Sequence, residues 1–533
     1  MSIEQKTPQQ LRNEARFCAS ERDRAELEAQ AAGLEAGQAH PTINDIENEL
    51  HCHTPGDGFL FNAKREATGP RERYWLDRIA ATGDLIFDPL PDSFYYFADG
   101  LWTRRTRAEI REIVDRIIRA ASLGAGLNLD KLLSMRPLDG IVNRLAGHPC
   151  IVRRDAFANP PHGIILVENG RLAISKEGIM TFDENSRGER TDMQLTRLKI
   201  TYDATARASK TLAWLSRIFS ERQGDVTAIA RMAGACLWGS SRWKKMLVIH
   251  GKANLGKSQI PLLIERLIGR QRVAEFETRR LGEKFEMKRF VGKVLLRAED
   301  VDADFMTHAY SSVLKQLTGF GSMRVEGKNS HEEFELRGDK MICATSNFRL
   351  RVRADVDRTA WEERLVYLDA DGDPYSREEQ DSYLLDTIFG DNVEASGVLN
   401  FALEGLINLL CHGWEISPEQ VARTKRVMDQ SDSVAQWARQ ELRAAGAEED
   451  PARPGVTVSE GWANYLEWVE RNSLDAWPER IWREMAIEAV EGVYGKTTSN
   501  NLKRGDCVSR GWRGMAIKYK ADMAKEFSSL KAI

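Results

Sequence analysis

No two cysteines in this sequence stand close enough to form a C-x-x-C pair. The seven of them, Cys18, Cys52, Cys150, Cys236, Cys343, Cys411 and Cys507, are scattered and odd in number. That excludes a zinc module built on paired thiolates and points to a reducing compartment. His51-Cys52-His53 is the one compact group of metal-ligand types; without partners at ligand spacing it reads as a loop beside Pro55-Gly56. Apolar runs of membrane-spanning length are missing, and so is a signal-like start, so no membrane partner and a cytoplasmic location are expected. Charge of one sign is also scarce, with a net of -4 over 533 residues. Any nucleic-acid contact must therefore come from local basic surface, not from an overall cationic field. With 40 glycines and 16 prolines the chain is neither collagen-like nor of low complexity. What it does contain, 42% hydrophobic and 29% charged residues, describes a globular chain long enough for several cores.

The most informative stretch is an apolar run, Met246 to His250, that meets Gly251, Lys252, Ala253, Asn254, Leu255, Gly256, Lys257 and Ser258. A buried strand leading into such a loop lets backbone N–H groups wrap phosphate oxygens, while Lys257 supplies a point charge and Ser258 a hydroxyl for Mg²⁺. This Walker A pattern predicts ATP and Mg²⁺ as cofactors; an ordinary Gly-rich strand-to-helix turn shares its outline. Residues 259–267 have the apolar spacing of a helix whose N-terminus would face the phosphates, with Pro261 in its first turn. Further on, 291–300 reads as a strand ending in Glu299 and Asp300. A P-loop fold uses such a pair to place one carboxylate on the metal shell and one on the attacking water. Asp300 is assigned to the metal and Glu299 to the water, with the reverse assignment open. Residues 340–347 read as another apolar strand ending in Asn347, which is placed for the lytic water or the γ-phosphate because strand carboxyl ends converge on the ligand crevice.

Around this core, 7–38 reads as a charged, weakly amphipathic helix and 40–70 as a linker. A helix is expected near Trp75, a hairpin at 92–102 turning at Asp99-Gly100, a capped helix over 106–120, and a second hairpin at 163–174 turning at Asn169-Gly170. The aromatics Phe94, Tyr95, Tyr96, Phe97 and Trp102 either stack on bases or pack the sheet on its helix. Residues 204–219 and 225–237 have helical periodicity. Arg242, Lys244 and Lys245 are solvated ends or cations reaching a neighbouring subunit. Helices are expected at 377–388 and 397–412 and a linker at 446–455. Apolar stretches then follow at 459–470, 479–490 and 514–519, with Lys503, Arg504, Arg510, Arg513 and Lys518 nearby. That order fits a winged-helix module contacting duplex or origin DNA, or a structural cap.

Residues 251–258, Glu299-Asp300 and Ser346-Asn347 together resemble a superfamily-3 helicase of the AAA+ class, specifically the helicase part of phage, plasmid and poxvirus primase-helicases. Leu314-Lys315 to Gly319, followed by 322–328, is similar to the family's extra motif between the acids and the Asn. Residues 362–368 resemble its arginine-finger segment, 396–405 the helix after the ATPase core, and the two early hairpins the domain before it. The resemblance covers 75–430 well and the tail loosely. It implies an α/β fold with an AAA+ P-loop NTPase core (221–372), a preceding α+β domain (71–220), a helical subdomain (373–430) and a winged-helix-like C-terminal domain (431–533) after an arm and linker (1–70).

It also implies a homo-oligomer, usually a hexamer, with ATP at subunit interfaces and single-stranded DNA in a central channel. On matching positions, Lys315 is a trans sensor cation and Arg364 the finger, with Arg358 its rival. Lys328 and His331, at a hairpin tip, would grip the DNA backbone. The implied function is an ATP-driven DNA helicase for replicating a phage, plasmid or other mobile element; the alternative is a ring-forming initiator or defence NTPase that does not unwind. Two departures matter. Phe348 to Arg353 stands where the family has a proline, which opens the loop geometry and the finger choice. The residues before Arg71 leave no room for a polymerising domain, so primer synthesis is not expected and a separate primase or polymerase is a candidate partner.

Overall fold

The computed structural model describes residues 43, 58–89, 91–127, 135–157, 160–281, 283, 286–303, 305–306, 311–326, 333–350, 352, 354–431, 433–446, 455–472, 474, 476–504 and 507–518. The 7–38 helix, the His51-Cys52-His53 group, Lys328, His331 and most of the 446–455 linker lie outside them. The described chain divides into two units, one running to Arg171 and including Phe182–Arg197, the other comprising Leu172–Thr181 and the residues from Leu198 onward.

In the first unit, β1 (Phe59–Phe61) and β2 (Ala67–Pro70) pair antiparallel before α1 (Glu72–Ala81), so the end of the expected linker is a hairpin. Trp75 explains the correction: its ring is buried and its Nε1 donates to the Gly58 carbonyl (2.8 Å), which draws the preceding chain back over the helix. The strands β3 (Leu85–Asp88), β4 (Ser93–Ala98) and β5 (Leu101–Arg105) form an antiparallel sheet. Its β4–β5 turn has Asp99 and Gly100 at φ 51° and 74°, the left-handed pair that a tight hairpin needs. The helix α2 (Arg107–Gly124) starts with the predicted capping box between Thr106 and Glu109, and α3 (Met135–Leu145) packs beside it. Phe94, Tyr96 and Trp102 are buried in this unit, so these three aromatics are core residues, not a stacking surface. The predicted second hairpin is present as β6 (Ile164–Val167) and β7 (Gly170–Ile174), with β8 (Met180–Asp183) after it; Leu172–Thr181 of this stretch belong to the second unit.

The second unit opens with α4 (Ser209–Ile218) and α5 (Gln223–Trp238), then builds a five-stranded sheet in which all adjacent pairs are parallel. Its members are β9 (Met246–Gly251), which leads into α6 (Gln259–Ile268), then β10 (Val273–Glu275) and β11 (Leu295–Ala298). After α7 (Ser311–Leu317) and an antiparallel hairpin of β12 (Ser322–Glu326) and β13 (Glu333–Arg337) come β14 (Met341–Ser346), α8 (Ala354–Arg364) and β15 (Leu365–Ala370). Every residue of β14 is buried, as expected of a parallel strand covered on both faces. The expected strand over 291–300 is shorter, because the chain turns at Gly292, whose φ is 72°, and straightens only at Leu295.

Beyond the sheet lie α9 (Leu384–Gly390), α10 (Asn392–His412), α11 (Pro418–Ser431) and α12 (Ser433–Glu441). Contrary to the sequence reading, α10 is long and apolar enough to cross a membrane, but 67% of that window is buried inside the protein. It crosses α5 at backbone contact: a Cβ on Gly405 would lie 2.2 Å from the Ala230 carbonyl oxygen, and one on Gly234 2.5 Å from the Leu406 nitrogen. The rest comprises β16 (Leu442–Ala444), β17 (Gly455–Thr457), α13 (Val458–Arg471), α14 (Glu479–Tyr494), β18 (Thr498–Arg504), β19 (Cys507–Arg513) and β20 (Met515–Ile517). Two helices and the β18–β19 hairpin follow one another here, around a buried cluster that includes Trp437, Tyr465, Trp468, Trp482 and Trp512.

Candidate functional site

Strand order fixes where a ligand can sit. The sheet runs β10-β11-β14-β9-β15, so the chain leaves β9 in one direction, toward β10, and leaves the adjacent β14 in the opposite direction, across β9 to β15. In a parallel sheet the crevice beyond the carboxyl end of such a strand is the binding position. The loop 251–258 lies there, between β9 and the N-terminus of α6.

The loop is shaped by close approach and by left-handed residues. A Cβ on Gly251 would lie 2.3 Å from the Ala370 carbonyl oxygen, and Asn254 and Gly256 have φ of 64° and 79°. Leu255 is buried and pins the loop, while Lys252, Ala253 and Asn254 are exposed. Among the described residues, none of the backbone N–H groups of 253–258 finds an acceptor, and the Ser258 hydroxyl does not cap α6. A row of unmatched donors beside a helix N-terminus fits an anion.

Lys257 is only 3% exposed, yet it meets no carboxylate at ion-pair distance among the described residues. Its Nζ donates to Asn347 Oδ1 (2.6 Å) and to the Lys252 carbonyl (3.3 Å). Burial holds its ammonium below the usual lysine range, with the Asp300 charge working against that shift. Asn347, at the end of β14, turns its Nδ2 toward Asp300 Oδ1 (3.1 Å). Asp300 is at φ 44°, a left-handed conformation that costs a non-glycine residue energy and that its surroundings must enforce. Two neighbours do so: the Asp300 N–H donates to Thr345 Oγ1 (3.3 Å), and the Ser346 hydroxyl has its one proton within reach of the Val301 or the Phe348 carbonyl (2.7 and 2.8 Å). The structure thus brings Lys257, Asn347 and Asp300 into one hydrogen-bonded line at the carboxyl edge.

The other predicted site residues lie apart from this line. Glu299 pairs with Arg297, a buried guanidinium that also meets Glu265 (2.8 Å) and Glu275. Lys315 lies over the Trp361 ring at 5.6 Å. Arg364 Nη1 donates to the Ala360 carbonyl (2.9 Å), and its buried Nε has no hydrogen-bond partner among the described residues. Arg358 is tied to Glu362 (2.8 Å) and Asp429 (2.6 Å). Lys245 donates to the Glu363 carbonyl at the end of α8, so it caps a helix of its own chain. Sequence reasoning gave no role to Thr345, Ser346 or Arg297, although Ser346 stood beside Asn347 in the motif that carries the family resemblance. The first two precede Asn347 and were legible as polar residues closing an apolar strand; Arg297 stands inside a strand and gave no signal.

Fold and site together define an α/β protein with a parallel sheet whose carboxyl edge carries a glycine-framed, cation-bearing loop. No protein-family model matches the sequence, and no curated protein does. Among solved structures, the chain is similar to "The apo structure of NrS-1 C terminal region" at 14% identity, covering 83% of this chain and 99% of that one with a TM-score of 0.44. Two A-form apo structures of the same region align over the same shares at 14% identity, with TM-scores of 0.43 and 0.42.

Proposed function

We propose that this chain is an ATP-dependent DNA translocase of the superfamily-3 AAA+ type, working as a ring around single-stranded DNA in the replication of a phage, plasmid or other mobile element. One observation carries the reading: Lys257, Asn347 and Asp300 converge beneath a loop of unmatched N–H donors at the strand-order switch of a parallel sheet. In this reading the loop and Lys257 hold the β- and γ-phosphates of ATP, and Ser258 and Asp300 hold Mg²⁺. Asn347 orients the attacking water together with Glu299, once Glu299 leaves Arg297. Lys315 and Arg364 act on the phosphates of a neighbouring copy, and Lys328 and His331 contact the strand in the bore. The β18–β19 hairpin, with Lys503, Arg504, Arg510 and Arg513, and Lys518 beyond it, contacts duplex or origin DNA; a separate primase or polymerase would make the primers.

The test is ATP hydrolysis with and without single-stranded DNA, combined with the mass of the assembled particle. Stimulation by DNA, a multimeric mass and loss of turnover in Lys257→Ala are expected. A particle that stays monomeric with both ligands present, or full turnover in Lys257→Ala, defeats the proposal. Neutralising Lys328 and His331 separates translocation from switching: loss of unwinding with basal hydrolysis kept supports the translocase, and no change points to a ring that does not unwind.

A further inference from the structure

Beside the loop opens a cleft of about 550 Å³, within the range of small-ligand sites. Its walls come from three separate stretches of chain: Trp214 of α4, Gly256 and Ser258 of the loop, and residues 375–384. The last stretch is firmly held. Tyr375 donates its N–H to the Asn254 carbonyl (2.9 Å), which ties it to the loop itself. Glu379 accepts the Ser376 N–H (2.9 Å) and pairs with Arg217 (3.2 Å). The Arg217 guanidinium in turn lies 4.0 Å from the centre of the Tyr375 ring. One face of that ring is therefore taken by a cation, and its position is set before any ligand arrives. Arg377, Gln380 and Asp381 add donors and acceptors along the same wall.

A polyphosphate has no use for an aromatic shelf or for an amide beside it. A planar base with donors and acceptors on its edge does. We propose that this cleft is the nucleoside subsite, with Tyr375 the ring on which the base lies and the 375–384 stretch the wall that reads its edge. The inference rests on the ATP reading above and assigns to it the residues that select the nucleotide. Because Tyr375 is bonded to Asn254, a base resting on it also steadies the loop that holds the phosphates.

The experiment compares Mg·ATP with Mg·tripolyphosphate, a ligand with the phosphates and no base, by calorimetry on the full chain. Tyr375→Ala is expected to weaken ATP about ten-fold or more while leaving tripolyphosphate within about two-fold. Tyr375→Phe keeps the ring and should bind both ligands as the parent does, which controls for misfolding. Equal losses for the two ligands in Tyr375→Ala, or no loss for ATP, overturn the subsite. Lys257→Ala separates the two proposals. If it weakens both ligands while Tyr375→Ala leaves ATP untouched, the subsite alone is wrong. If it weakens neither, the phosphate site fails and the subsite with it.

Discussion

The Lys257 ammonium is held 2.6 Å from the amide oxygen of Asn347, a partner ninety residues away in sequence. The contact joins the end of β14 to the loop after β9, two strands that lie side by side in the sheet. A neutral amide is a weak match for a buried cation, so the lysine keeps most of its charge for a ligand. An arriving phosphate would take over this ammonium and leave the amide, still bonded to Asp300, facing the reaction.

Asn347→Ala should therefore separate binding from turnover. Removing the amide frees Lys257 without removing its charge, so nucleotide affinity should change by no more than about three-fold. Turnover should fall about 100-fold, the usual effect of losing one placed polar group at a reacting centre. Binding by calorimetry and single-turnover hydrolysis give the two numbers; a parallel loss of both would make Asn347 a binding residue only.

The lowered pKa of Lys257 predicts how affinity depends on pH. Burial depresses the free value, and the negative charge of bound phosphates raises it again, so binding takes up a proton between the two values. Nucleotide affinity should then fall as pH rises through the depressed value, beginning below the usual lysine range. For folding, the sign reverses: a folded value below the unfolded one favours the neutral form, so this residue's penalty shrinks as pH rises. Calorimetry in buffers of different ionisation enthalpy measures the uptake directly, and Lys257→Met should abolish it.

The sheet strands β9, β11 and β14 and the loop after β9 were legible in the sequence because each of these strands is a short apolar run closed by glycine or by a polar residue; β10 and β15 were not read as strands. What was not legible was long-range. The sequence reads 377–388 as a helix, and Ser376 with Glu379 does form capping-type hydrogen bonds: Glu379 N–H to Ser376 Oγ is 3.3 Å. Glu379 is also claimed by Arg217, though, and helix begins only at Leu384. Arg217 lies 162 residues away, so no local pattern could have announced it. Glu299 is similar: its strand-end position was readable, but its capture depends on the buried Arg297 guanidinium, whose ion pairs reach back to α6 and β10.

Two glycines in helices should respond to alanine in opposite directions. Gly492 in α14 has nothing within 4 Å of an added Cβ, so Gly492→Ala should stabilise by about 0.5–1 kcal/mol through helix propensity alone. Gly405 in α10 has the Ala230 carbonyl oxygen 2.2 Å from the same position, so Gly405→Ala must push α10 off α5. Overpacking of about 1–3 kcal/mol exceeds the propensity gain, and the variant should lose stability. Urea unfolding of both variants tests the close crossing, which also accounts for burying so apolar a helix.

Arg358 and Arg364 make different predictions, and the register of β15 says why. Arg364 directly precedes Leu365, which pairs with Met246 at the amino end of β9. Its backbone is thus about 20 Å from the carboxyl edge where the loop begins, at about 3.3 Å per strand residue. Any action of Arg364 on a phosphate would therefore be on a neighbouring copy. It makes no ion pair among the described residues, so Arg364→Ala should leave folding stability within about 0.5 kcal/mol. Turnover should fall about 1,000-fold with nucleotide binding retained, as when a finger is removed. Arg358 joins α8 to α11 through Asp429, pairs with Glu362 on its own helix and is 31% exposed, so Arg358→Ala should cost about 1 kcal/mol of stability and little turnover. Mixing decides between them. Particles assembled from Lys257→Ala and Arg364→Ala chains should regain hydrolysis, because some interfaces then carry an intact loop on one copy and an intact arginine on the next. Complementation by Arg358→Ala in place of Arg364→Ala, with stability unchanged, would move the finger to Arg358.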